Sequence, residues 1–163
     1  MSNASDRLVE ILERHRTHSE ALLGLAEEKR SAIVSNAVQE LDRITLAEME
    51  HVGAIRRLEE DRKMTVEILG SRIGTRADAK LDDIAARLDD AERERLQAAR
   101  GSLRTVLDRL RERNAGNKEL LDASVSHFHG FFTALRNLRA DRPVYDRRGI
   151  PSAGGRPLLD RTA

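Results

Sequence analysis

The sequence predicts an all-α protein: an antiparallel bundle, or coiled coil, of long helices with a disordered C-terminal tail. Three observations carry this. Of 163 residues, 35% are charged and only 2% aromatic, and Ala, Glu, Leu and Arg dominate, which is the composition of long helices. Apolar residues recur at helical spacing from Leu8 to Leu138, with no strand-like alternation between them. All three prolines lie beyond Arg139, so nothing earlier in the chain forces a break. The bundle is expected over residues 1–138, with helices at about 5–35, 37–73, 79–88 and 90–138, and the tail over 139–163.

The first helix carries Leu8, Ile11, Leu12, Leu22, Leu25, Ala26 and Ile33 on one stripe, with His15, His18 and Lys29 on or beside it. Ser5 or Asn3 is the expected cap, and Asp6 follows in the positively polarised first turn. The helix should end near Ser35-Asn36. Asn36 should cap the second helix, with Gln39 three residues on as in a capping box.

The second helix carries Val38, Leu41, Ile44, Met49, Val52, Ile55, Leu58, Val66, Leu69 and Ile73 as its apolar set. The run Arg56 to Lys63 alternates charge, as a solvated helix face does. Gly70, Gly74 and Thr75 mark its end. Leu81, Ile84, Ala85 and Leu88 form a short third helix, and Asp89-Asp90 caps the fourth.

The fourth helix has the longest seam: Leu96, Arg100, Leu103, Leu107, Leu110, Asn114, Asn117, Leu121, Ser124, Phe128, Phe131, Leu135 and Leu138. From Leu96 to Leu138 it would extend roughly 60 Å. The seam is aliphatic, then polar at Asn114 and Asn117, then aromatic, since every Phe lies between Phe128 and Phe132. A buried Asn in such a seam fixes register at some cost in stability. Alternatively the polar step separates a bundle segment from a binding segment. The adjacent rings of Phe131 and Phe132 diverge by about 100° around the helix, so with Phe128 they cover more than a two-helix seam needs. That breadth suits either a core or a groove for another helix.

The tail holds six Arg against three Asp, so it carries +3 of a total net charge of +1. With Pro143, Pro151 and Pro157 and few apolar groups, it cannot offset its ordering entropy. Tyr145 is its single aromatic residue, which gives it the look of a recognition segment.

Several functions are disfavoured. A net charge near zero, with Arg alternating with Glu and Asp, gives no case for nucleic acid. The longest strongly apolar run, Ala21 to Ala26, is far too short for membrane insertion. The absence of Cys removes thiol chemistry and fits a cytoplasmic protein. Glu48 and His51 form a single Glu-x-x-His unit where a di-iron bundle needs two. His15 and His18 have no obvious third ligand, and His127 and His129 project to different faces. No metal, no cofactor and no catalytic residues are expected. The oligomeric state stays open, a homodimer included.

One region resembles a known family. Asn114-x-x-Asn117-x-x-Leu120-Leu121-x-x-Ser124-Val125, the apolar run to Leu138, Tyr145-Asp146-x-x-Gly149, and Leu158-Leu159-Asp160 resemble the flagellar export chaperones of the FlgN family. The likeness covers nearly the whole chain in architecture and is motif-specific from Asn114 to Gly149. The Phe-rich stretch departs from it, because an aliphatic residue is more usual there. The resemblance implies a small cytoplasmic chaperone for hook-associated proteins, those of the hook–filament junction. It would bind their C-terminal amphipathic helices, prevent premature assembly and deliver them to the flagellar export gate. Its client-binding residues would be Asn117, Leu121, Val125, Phe128, Phe131, Phe132 and Leu135, and Tyr145 would contact the gate. The competing reading is a structural coiled-coil adaptor without a secretion role, which a fully buried Phe face would favour.

Overall fold

The computed structural model describes residues 2–72, 74 and 81–140. They form four helices and, among the described residues, no strand: α1 (Ser2–Val34), α2 (Val38–Arg72), α3 (Leu81–Ala85) and α4 (Asp90–Ala140). The chain divides into two compact units, residues 1–120 and 121–163. The first contains α1, α2, α3 and the Asp90–Leu120 part of α4. The expected tail began at residue 139, but α4 runs to Ala140; the rest of that tail, with Tyr145, lies outside the described residues.

The first unit is a three-helix bundle running up, down, up. Cross-helix contacts fix the directions. Lys29 meets Glu48 and His15 meets Glu59, so α1 and α2 are antiparallel. Ser5 meets Glu92 and Ala26 meets Asn117, so α1 and α4 are parallel. The central core joins Leu8 and Leu12 of α1, Leu69 of α2, Ile84 and Ala85 of α3, and Leu96, Ala99 and Leu103 of α4. Leu8 and Ile84 have no solvent exposure. Each such side chain contributes about 1.5–3 kcal/mol relative to being left in water.

The helix ends differ in part from the sequence expectation. Ser5 lies inside α1, not at its cap, and its Oγ donates to Glu92 Oε1 at 2.7 Å. Asn36 terminates α1 and does not start α2. It adopts φ +54°, its N–H donates to Ile33 O, and the Ala37 N–H reaches back to Ala32 O at 2.9 Å. This is a Schellman ending with Asn in the left-handed position that Gly usually takes. Asp89 does cap α4, accepting the Glu92 N–H at 2.8 Å. Arg93 closes the preceding turn by donating to Ala85 O and Leu88 O.

The seam of α4 is shifted in phase. In the first unit its buried positions include Leu96, Ala99, Leu103, Val106 and Asn117. Ala99 and Val106 take places expected for Arg100 and Leu107. Arg100 is exposed and pairs with Asp82, and Leu107 is half-buried. A small Ala admits a close helix approach, and a guanidinium left in water avoids its desolvation cost. On α2, Val38, Met49 and Val52 are exposed although the periodicity placed them in the apolar set. Ile44, Leu58 and Leu69 are buried as expected.

Candidate functional site

Within α4, Asn117 closes the polar step. It is 3% exposed, and its Nδ2 donates to Ala26 O at 2.8 Å. Its Oδ1 is buried with no hydrogen-bond partner. An amide held in this way specifies one alignment of α4 on α1, at some cost in stability. Asn114, expected beside it in the seam, is exposed. One residue earlier, Arg113 reaches Glu27 on α1 at 2.7 Å.

From Leu121 onward the apolar side chains change character. Leu121, Val125, Phe128, Phe131, Phe132 and Leu135 are all exposed. The three rings are 51%, 57% and 66% exposed, where a core Phe is close to zero. Leu121, Val125, Phe128, Phe132 and Leu135 recur at spacings of four and three, so they form one stripe. Phe131 widens it, and its ring meets that of Phe132 edge to face, with centroids 6.1 Å apart. Six large apolar groups on about four turns of helix form a hydrophobic patch that water alone leaves costly.

The sequence set of candidate contacts therefore divides. Leu121, Val125, Phe128, Phe131, Phe132 and Leu135 share one accessible face, whereas Asn117 is spent within the bundle. Tyr145 lies outside the described residues.

The other polar cluster lies between α1 and α2. His18 Nδ1 and His51 Nδ1 are 3.0 Å apart, and His15 Nδ1 lies 3.4 Å from Glu59 Oε1. Burial pushes His15 below its ordinary value of 6.5, with Glu59 pulling the other way. His18 is lowered first by burial, then by His51, Arg14 and Arg57. Glu48 is occupied by Lys29 Nζ at 2.5 Å, so it does not act with His51 as one unit. Among the described residues no group of three or more His, Cys, Asp or Glu is placed to hold a metal ion. Also among them, no helix is long and apolar enough to cross a membrane.

Sequence reasoning missed the exposed apolar side chains of Leu46, Met64 and Ile68 on α2, and it placed Met49 and Val52, also exposed, in the apolar set.

The described residues form a helical bundle with an exposed apolar helix face, the kind of surface on which another helix can lie. The comparisons with known proteins are more specific. The family model for FlgN protein matches residues 1–153, and the chain belongs to the FlgN family. It is thus a flagellar export chaperone in the general sense, and that family is not one of enzymes. The chain is 31% identical over 113 residues to "Uncharacterized protein YvyG" of Bacillus subtilis (strain 168), covering 69% of each chain. No solved structure matches it significantly.

Proposed function

We propose that this chain is a cytoplasmic chaperone that binds the C-terminal amphipathic helices of hook-associated proteins, keeps them from assembling early, and delivers them to the flagellar export gate. The observation that carries the reading is the exposure of Phe128, Phe131 and Phe132 on one helix face with Leu121, Val125 and Leu135. A client of this kind has an apolar stripe that stays uncovered until assembly. A helix laid along the face covers both stripes at once. The client's ordering cost keeps the complex reversible, which suits a carrier that must release without ATP. Asn117 would hold the helix that bears the face, and Tyr145 would contact the gate. A coiled-coil adaptor with a closed aromatic core is disfavoured because the rings are more than half exposed.

The test pairs peptide titration with thermal melts. Removing a buried Phe costs roughly 3–5 kcal/mol of stability, and removing an exposed one costs little. Truncating an anchor residue in a helix-in-groove complex costs about 2 kcal/mol, some thirtyfold in affinity. At least one of Phe128→Ala, Phe131→Ala and Phe132→Ala should weaken a junction-protein C-terminal peptide by that factor while the melting point barely moves. Tyr145→Ala should leave peptide affinity intact and reduce secretion and motility. If the three Phe variants lose stability in step with affinity, the cluster is core. If no junction-protein peptide binds the parent chain, the chaperone–client assignment is wrong.

A further inference from the structure

The exposed stretch of α4 has more order than an apolar stripe alone. Leu121, Val125, Phe128, Phe132 and Leu135 follow one another at intervals of four, three, four and three. That is the seam of a left-handed coiled coil over two heptads, roughly 21 Å of helix. Such a seam has two edges, and here the edges differ. At about 100° per residue, Asp122, His129 and Arg136 lie along one edge, at intervals of seven. Ser124 and Phe131 lie along the other, which carries no charge.

The edges decide what can lie on the seam. Residues beside it face those of the partner helix, and opposite charges there set partner choice. On the uncharged edge the Phe131 ring is more than half exposed, so an apolar side chain must meet it. On the charged edge Asp122 stands at one end and Arg136 at the other, so the charge changes sign along it. Arg136 is exposed and forms no ion pair among the described residues.

We infer that the helix seated on this face carries an acidic side chain opposite Arg136 and an apolar one opposite Phe131, so that Arg136 selects which amphipathic helices are accepted and in which register. The inference rests on the client-binding reading above and adds to it the chemistry of the client's two edges. An apolar stripe alone accepts any amphipathic helix. A helix displaced by one turn moves its acid away from the guanidinium, and a helix with a basic residue there meets like charge. An ion pair at a solvated edge adds little affinity, so Arg136 acts by discriminating between clients and the Phe rings supply the strength.

Titration of a junction-protein C-terminal peptide against the full chain tests this. Arg136→Glu should weaken binding about fivefold at low ionic strength, and less at about 0.5 M salt, where the contact is screened. Asn137→Glu adds a carboxylate one residue on but nearly opposite the seam, and should leave affinity unchanged. Both positions are exposed, so neither variant should move the melting point. Each Asp and Glu of the peptide is then changed singly to Lys. One of these peptides should bind the Arg136→Glu chain more tightly than it binds the parent chain, a reversal that requires the two side chains to face each other. The inference is overturned if Arg136→Glu leaves peptide affinity unchanged, if Asn137→Glu weakens it equally, or if no Lys peptide shows the reversal. Any of these, with the parent chain still binding the peptide, leaves the client assignment standing. A parent chain that binds no junction-protein peptide overturns that assignment, and this inference with it.

Discussion

Asn36 is a single residue that decides where one helix stops. Its φ of +54° lies in the left-handed region, where a Cβ crowds the following carbonyl and only Gly is free of penalty. Asn tolerates the position better than other residues with side chains. Asn36→Ala should therefore destabilise the bundle by about 1 kcal/mol, and Asn36→Gly should be neutral or slightly stabilising, both read as urea midpoints. If Ala is tolerated as well as Gly, the turn does not depend on that backbone conformation. Asn117 shows the other use of the same side chain. There the amide is buried and points at Ala26 O, and the backbone is ordinary helix. The sequence marked both asparagines as junctions. It did not say which helix Asn36 serves, because an N-cap and a left-handed C-terminal residue favour the same amino acid.

At the scale of the element, α1 and α2 meet through three histidines as well as through Leu and Ile. His18 and His51 share a close contact, and His15 faces Glu59. His15 and His18 titrate below 6.5 in the folded chain and near 6.5 when unfolded. Between those limits the unfolded chain binds more protons, so acid favours unfolding. Stability should be full above about pH 6.5 and fall as the pH drops through the depressed folded values. Urea midpoints measured from pH 8 to pH 5 would show the decline, and His15→Gln with His18→Gln should flatten it. An equal decline in that double variant would assign the effect to other groups. The same helices show where periodicity misleads. Met49 and Val52 satisfy a helical apolar pattern, yet both are exposed. Packing against the other helices decides which apolar residues lie inside, and that choice depends on residues far away in sequence. For α4 the composition was enough to foresee one long helix, whereas the phase of its seam turned on Ala99, a small residue the pattern undervalued.

For the whole molecule, the all-α bundle was legible because helix periodicity and composition agree over most of the chain. The exposed aromatic stretch could be read from sequence as either core or groove, since exposure is not encoded in spacing alone. In the folded chain Phe128, Phe131 and Phe132 are each more than half exposed, so they are not packed core. The parallel pairing of α1 with α4 has a consequence for the order of folding. Neighbouring helices joined by short turns can find each other almost locally. Here Ser5 waits for Glu92 and Ala26 for Asn117, partners separated by 87 and 91 positions. Six of the ten buried residues of the central core, from Ile84 to Leu103, emerge after α2 is complete. A nascent chain that has reached Arg72 thus has two long helices and less than half of that core. A fragment of residues 1–72 should melt without a cooperative transition by circular dichroism, and adding residues 73–120 should restore one. Loop closure over this distance also slows a helical protein relative to a simple hairpin. The interval during synthesis before Leu103 arrives is the time when α1 and α2 have most need of protection by other chains.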